Sequence, residues 1–143
     1  MKTLYTAQAL ASGDGRNGTS RTSDGKLEVT LATPVELGGN GAGTNPEQLF
    51  AAGYAACFHS ALRLVGRKMR LDVSGSQINA KVHLGTLEDR EGYGLAVDMQ
   101  VSLPALEDEV ARDLVERAHQ ICPYSNATRG NITVNLELME AVA

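Results

Sequence analysis

Residues 45–66 read NPEQLFAAGYAACFHSALRLVG, and this stretch decides the fold. Asn45 followed by Pro46 is typical of a helix start, because asparagine caps free backbone N–H groups and proline fits the first helical position. A capping box formed by Thr44 and Glu47 is the alternative start. Either way, the sequence predicts that a helix begins here.

The same stretch is apolar on most of its faces. It carries no charge between Glu47 and Arg63, and a helix of this kind is normally buried. We predict that it ends near Gly66 and forms the centre of the protein. One chain of 143 residues offers little surface to cover it on every side. We therefore also predict a homodimer with this helix near the interface.

Alternating apolar and polar residues flank this helix and predict strands. The segments are 2–11 and 26–37 before it, and 71–84, 94–103 and 132–139 after it. The turn-rich residues 13–25 predict the tip of a hairpin between the first two strands. A second helix is predicted at 105–120, opened by Pro104 and stopped by Pro123. This order predicts one α+β domain over residues 1–143, with mostly antiparallel sheets.

Composition disfavours several function classes. The formal net charge of −4 argues against nucleic acid as a partner. We expect no membrane partner, since no uninterrupted apolar run approaches the roughly 18 residues of a span. The N-terminus lacks the apolar centre of a signal peptide, which predicts a cytoplasmic location. The Gly-rich residues 38–43 lack the ending of a phosphate loop, and we expect neither cofactor nor metal.

Cys57 and Cys122 are the only cysteines. They are too few for a disulfide scaffold, and their simplest interpretation is a pair of small core residues. A transient catalytic disulfide is the alternative in the cytosol. Burial in mid-helix would raise the pKa of Cys57, so a reactive Cys57 needs a cation from another segment. Arg16, in a loop flanked by Gly15 and Gly18, suits that task best. Cys122, at a helix exit, is expected to be the more accessible thiol.

Glu47 is the carboxylate at the head of the first helix. It is either a cap residue that favours the helix dipole or an acceptor that holds an arginine. About ten residues separate it from Cys57, roughly 15 Å along a straight helix. One arginine can serve both groups only if the helix start bends or if two subunits contribute.

Other kinds of site were weighed against a redox pair. A Cys₂His₂ zinc site would use Cys57, His59, His119 and Cys122, but the first two point apart on a helix. A cysteine–histidine hydrolase would need an oxyanion hole, which no motif indicates. A dimeric redox sensor without turnover is the remaining alternative.

Two segments resemble the organic hydroperoxide resistance (Ohr) branch of the OsmC/Ohr family. They are NPEQLFAAGYAACFHSAL at 45–62 and ICPYSNATRGNI at 121–132, supported by Arg16 in GDGRNG. The resemblance extends over essentially the whole chain. It implies an OsmC-like fold with a long central helix, and an intertwined homodimer with two active sites at the subunit interface.

The resemblance also implies roles for four residues. Cys57 corresponds to the peroxidatic cysteine, Cys122 to the resolving cysteine, Arg16 to the arginine that activates the thiolate, and Glu47 to the carboxylate that orients it. The implied activity is reduction of organic hydroperoxides through a Cys57 sulfenic acid and a Cys57–Cys122 disulfide. The implied reductant is a lipoyl-type dithiol, either dihydrolipoamide or a lipoylated protein.

Overall fold

The computed structural model describes residues 1–139 and confirms the α+β class. Its strands are β1 Ala9–Ser12, β2 Thr19–Thr22, β3 Glu28–Thr30, β4 Gln77–Thr86, β5 Tyr93–Ser102 and β6 Val134–Leu138. Its helices are α1 Pro46–Lys68, α2 Asp108–Ile121 and α3 Pro123–Thr128. The chain forms two compact units, with the boundary between Leu49 and Phe50. That all 143 residues make one domain stays a prediction.

The first unit holds a three-stranded antiparallel sheet in the order β1-β2-β3. The predicted two-stranded hairpin with a long tip is therefore wrong. Residues 19–22 pair on both sides, with Ser20 opposite both Ala11 and Val29. Because this strand reads TSRT, it carries no apolar alternation by which the sequence could reveal it.

The second unit holds a sheet in the order β4-β5-β6. The predicted antiparallel pair is confirmed, with a register from Gln77 opposite Ser102 to Thr86 opposite Tyr93. β6 pairs with β5 in parallel, since α2 and α3 return the chain to the starting edge before β6 begins. The predicted strand start at residue 71 is wrong, because β4 begins at Gln77.

The core of the second unit lies between α1, this sheet and α2. From α1 it buries a stripe at helical spacing, which includes Tyr54, Phe58 and Leu62. By length and composition alone α1 could also cross a membrane, since it has 23 residues and a mean hydropathy of 1.2. The buried stripe accounts for part of that apolar character, since 33% of the apolar window is buried.

The start of α1 is fixed by Asn45. Its Oδ1 accepts the backbone N–H of Gln48 at 2.9 Å, which is the bond expected of an N-cap. Thr44 and Glu47 do not form the alternative capping box. The Thr44 hydroxyl donates to Gln48 Oε1 at 2.7 Å, and Glu47 binds an arginine instead.

Replacing Asn45 with alanine is expected to lower the free energy of unfolding by about 1 kcal/mol, because the N–H of the first helical turn loses its acceptor. Denaturant unfolding should show a lower midpoint with an unchanged slope. Asn45→Ser keeps a capping oxygen and should recover most of the loss. An equal loss in both variants would contradict the capping role.

The end of α1 corrects a second prediction. The helix passes Gly66 and continues to Lys68. A Cβ on Gly66 would lie 2.7 Å from Val73 Cγ1, so this glycine permits close packing rather than ending the helix. Arg70 takes the left-handed position with φ 55°. The N–H of Leu71 bonds to the Gly66 carbonyl at 2.9 Å, as in a Schellman motif.

The second helix begins and ends differently from its prediction. It starts at Asp108 rather than 105, after a turn closed by Leu106 N–H and the Leu103 carbonyl at 3.1 Å. Pro123 does stop it, but it also opens α3, which the sequence did not predict. Proline fits the first position of a helix as well as it ends the preceding one.

Candidate active site

Arg16 lies in a one-turn 3-10 helix between β1 and β2. The loop closes tightly, because a Cβ on Gly18 would lie 2.2 Å from the Ser12 carbonyl oxygen. Only glycine fits at that position. Asn17 Oδ1 accepts the backbone N–H of Thr33 at 3.2 Å and ties the loop to the segment after β3. The backbone around Arg16 is thus well fixed.

Arg16 and Glu47 form a two-pronged ion pair. Nη1 donates to Oε2 at 2.9 Å and Nη2 donates to Oε1 at 2.6 Å. The hydrogen bond from Arg16 lowers the pKa of Glu47, while partial burial opposes that shift. The same bond raises the pKa of Arg16. Of the two interpretations of Glu47, the structure shows the acceptor that holds an arginine.

The Arg16–Glu47 pair predicts a specific acid sensitivity. Since the pKa of Glu47 lies below its ordinary value of 4.5, the stabilisation by the pair is complete above that value. It is lost as the pH falls through the lowered pKa. An NMR titration of the Glu47 carboxyl should place its midpoint below 4.5, and Arg16→Gln should raise that midpoint. A midpoint unchanged by Arg16→Gln would contradict this assignment.

Cys57 and Cys122 lie side by side in the second unit. The Cys122 thiol contacts the Cys57 sulfur at 3.6 Å, and neither cysteine is in a disulfide. Cys57 is partly buried on α1, whereas Cys122 is 0% exposed. The expectation that Cys122 is the more accessible thiol is wrong. The junction of α2 and α3 turns it into the core, so a reagent from solvent meets Cys57 first.

The surroundings of Cys57 act on its pKa in opposite directions. Burial is the largest effect and raises the pKa of the thiol. The backbone N–H of Tyr124, in the first turn of α3, hydrogen-bonds to the sulfur and lowers the pKa, while neighbouring Cys122 raises it. The net direction is upward, so these neighbours alone do not make Cys57 a strong nucleophile at neutral pH.

Three aromatic rings pack together near the cysteines. Phe50, Tyr54 and Tyr124 have ring centroids 5.7–6.1 Å apart. Phe50 and Tyr124 also line a cavity of about 740 Å³, together with residues that include Arg90 and Ile132. A volume of this order is usual for small-molecule sites.

The two histidines weighed for a zinc site make separate hydrogen bonds with serine side chains. The Nε2 atom of His59 bonds to Ser76 Oγ at 2.8 Å, and the Nδ1 atom of His119 bonds to Ser125 Oγ at 2.8 Å. Phe58 is fully buried and does not line the cavity. Within residues 1–139, no group of three or more histidine, cysteine or acidic side chains could hold a metal ion.

The sequence did not single out Tyr54 or Tyr124. Tyr124 acts on Cys57 through its backbone N–H, which any residue but proline supplies, so no side-chain type reveals that role. The position of Tyr124 after Cys122 and Pro123 is the only hint, since proline at a first helical position leaves the next N–H groups free. The phenol of Tyr54 looks like an ordinary core residue until its partners are known.

Comparison with known proteins gives a consistent result. The OsmC-like protein family pattern matches residues 38–137. The organic hydroperoxide resistance protein of Xanthomonas axonopodis pv. citri is 49% identical over 139 residues, which is 96% of each chain.

Solved structures agree with the sequence comparisons. An organic hydroperoxide resistance protein from Elizabethkingia anophelis has a TM-score of 0.92 and 48% identity, covering 98% of this chain and 99% of its own. Organic hydroperoxide resistance protein OhrB of Bacillus subtilis has a TM-score of 0.87 and 43% identity, covering 96% and 100%.

Proposed function

Because this chain belongs to the OsmC/Ohr family of organic hydroperoxide resistance proteins, we propose that it is a cysteine-based peroxidase that reduces alkyl and fatty-acid hydroperoxides to alcohols. The observation that carries the proposal is the 3.6 Å separation of the Cys57 and Cys122 sulfur atoms. A disulfide bond is about 2.05 Å long, so a modest approach of the two sulfurs joins them.

The chemistry uses the two cysteines in sequence. The Cys57 thiolate attacks a peroxide oxygen, the O–O bond breaks, and the organic half leaves as the alcohol after taking a proton. Cys57 is thereby oxidised to a sulfenic acid. The Cys122 sulfur then attacks Cys57, the S–O bond breaks, and water leaves. The resulting disulfide protects Cys57 from irreversible oxidation.

The exposures of the two sulfurs support this division of roles. Cys57 is partly exposed and meets the peroxide, while Cys122 is buried directly behind it. A buried resolving thiol is protected from the oxidant itself. Access therefore favours Cys57 as the thiol that the peroxide oxidises first.

Arg16 and Glu47 complete the proposed site. Burial raises the pKa of Cys57, and a guanidinium near its sulfur would offset that effect without losing its own charge. The bidentate bonds from Glu47 fix the plane and direction of the Arg16 side chain. We propose that one Arg16 of the homodimer serves each Cys57, whichever protomer supplies it.

The proposed substrate and reductant follow from the same surroundings. The cavity beside Phe50 and Tyr124 has mixed polar and apolar walls, and we propose that its apolar part holds the organic group of a hydroperoxide. The Cys57–Cys122 disulfide is recycled by thiol exchange with a lipoyl-type dithiol, dihydrolipoamide or a lipoylated protein. The proposed location is the cytoplasm, where a transient disulfide can be reduced.

A steady-state assay tests the proposal directly. The protein should consume cumene and tert-butyl hydroperoxide rapidly with dihydrolipoamide as reductant, and more slowly with glutathione. A mass measurement at micromolar concentration should give a dimer. Peroxide-dependent formation of the disulfide without turnover by any dithiol would instead indicate a redox sensor.

A further inference from the structure

A chain of side-chain hydrogen bonds joins the three helices next to the cysteines. Tyr54 on α1 bonds through its Oη to Ser125 Oγ at 2.8 Å and to Thr128 Oγ1 at 3.2 Å, both on α3. His119 on α2 bonds through Nδ1 to the same Ser125 Oγ at 2.8 Å. Tyr54 and Ser125 are fully buried, so water does not compete for these bonds.

Only one assignment of donors and acceptors satisfies every hydrogen bond in this series. The Thr128 hydroxyl donates to the Ser125 carbonyl at 3.2 Å, so Thr128 must accept from Tyr54. Tyr54, with a single proton, must then accept from the Ser125 hydroxyl. Ser125 has no proton left for histidine, and its oxygen accepts from His119. His119 therefore carries its proton on Nδ1.

A second contact holds the same two helices together. Arg129, directly after α3, donates from Nη1 to Asn126 Oδ1 at 2.6 Å. Its Nη2 donates to the backbone carbonyl of His119 near the end of α2. Burial is the main cause that lowers the pKa of His119, and the nearby Arg129 adds to it. The lowered pKa favours a neutral ring at neutral pH, and the directed hydrogen bonds place the single proton of that ring on Nδ1.

These bonds connect the backbone segments that carry the two sulfur atoms. Tyr54 lies three residues before Cys57, which is less than one turn away on α1. Ser125 lies three residues after Cys122. The Tyr54–Ser125 bond therefore ties one sulfur-bearing segment to the other, and a shift of α3 against α1 would change the 3.6 Å sulfur separation.

We propose that Tyr54, Ser125 and His119 are positioning residues for the step in which Cys122 attacks the oxidised Cys57. The inference rests on the proposed function. In that step the Cys122 S–H proton and the hydroxide of the sulfenic acid leave as water, and the S–S bond forms. The attack requires the sulfurs to close from contact distance to bond distance, so it is sensitive to the position of α3. The first oxidation of Cys57 needs no movement of Cys122, so it depends little on these hydrogen bonds.

Rapid mixing with one equivalent of cumene hydroperoxide separates the two steps. Peroxide loss reports Cys57 oxidation, and acid quenching followed by thiol mass labelling reports the disulfide. Tyr54→Phe, which removes only the hydroxyl, should slow disulfide formation about tenfold, as expected for losing a buried hydrogen bond. Peroxide loss should stay within about twofold of the unmodified protein. Ser125→Ala should behave in the same way.

Two histidine variants provide a matched pair. The amide of asparagine can occupy the place of Nδ1, whereas that of glutamine extends toward the place of Nε2. His119→Asn should therefore form the Cys57–Cys122 disulfide nearly as fast as the unmodified protein, and His119→Gln should form it slowly. His83→Gln is the control for a histidine change elsewhere, since His83 bonds to Asp98 on the exposed face of the β4–β5 pair.

The resolving step can also be started without peroxide. Cys57 is first joined to a coloured aryl thiol as a mixed disulfide, and attack by Cys122 then releases that thiol. Tyr54→Phe should slow the release by the same factor. This arm still tests the inference if the unmodified protein consumes no hydroperoxide, in which case only the proposed function fails.

Equal rates of disulfide formation in Tyr54→Phe and the unmodified protein would overturn the inference, as would equal slowing of both steps. Nitrogen-15 NMR of the unmodified protein supplies a test that needs no variant. His119 should be neutral with its proton on Nδ1 at neutral pH. A proton on Nε2 alone would overturn the directed chain.

Discussion

Replacing Cys57 with serine is expected to abolish hydroperoxide consumption, with a loss of about a thousandfold or more. A serine hydroxyl does not ionise near neutral pH and is a far weaker nucleophile than a thiolate. Cys122 cannot take over because it is 0% exposed. The measurement is the rate of cumene hydroperoxide loss with dihydrolipoamide present. Activity that survives this change would refute the peroxidase assignment.

Cys122→Ser is the matched control, because it removes the other sulfur at the same contact. Its first oxidation should proceed at close to the normal rate, since peroxide meets Cys57. Without the resolving thiol, one turnover should leave a sulfenic acid, which excess peroxide oxidises further. Mass spectrometry should detect added oxygen on Cys57. Sustained turnover with no such adduct would contradict the proposed role of Cys122.

The features that the sequence predicted depend on local rules. The start of α1 follows from Asn45 and Pro46, and the β4–β5 pair follows from regular alternation, so both needed only neighbouring residues. The contact of Arg16 with Glu47 is different. Residue type indicated it, but only the closed loop around Gly18 shows how an arginine 31 positions away arrives at the helix start.

The features that the sequence missed depend on packing between separate segments. Gly66 looked like a helix end, yet its missing side chain makes room for Val73. Cys122 looked accessible at a helix exit, yet α3 turns it inward. Residues of β2 and α3 have no apolar period of their own. Each is fixed by contact with another segment, and a pattern confined to one segment carries no information about that contact.

Replacing Arg16 with glutamine is expected to slow the first oxidation of Cys57 by about 10²–10³, the loss usual for removing a positioned charge-stabilising group. Because burial raises the pKa of Cys57, removal of the cation that we propose to offset this effect should leave less thiolate at neutral pH. The rate should therefore recover partly as the pH rises. The rising limb of the pH–rate profile, which reports ionisation of the Cys57 thiol, should lie at higher pH than in the unmodified protein.

Three further variants give this prediction its controls. Arg16→Lys keeps the charge but not the two-pronged contact, so it should lose less activity than Arg16→Gln. Glu47→Gln keeps the arginine but weakens its orientation, and a loss of about tenfold corresponds to one charged hydrogen bond. Arg21→Gln changes an arginine on β2 and should leave the rate unaltered. If Arg16→Gln and Arg21→Gln have the same rate and the same pH profile, Arg16 does not activate Cys57, and the cation that offsets its burial must come from another residue.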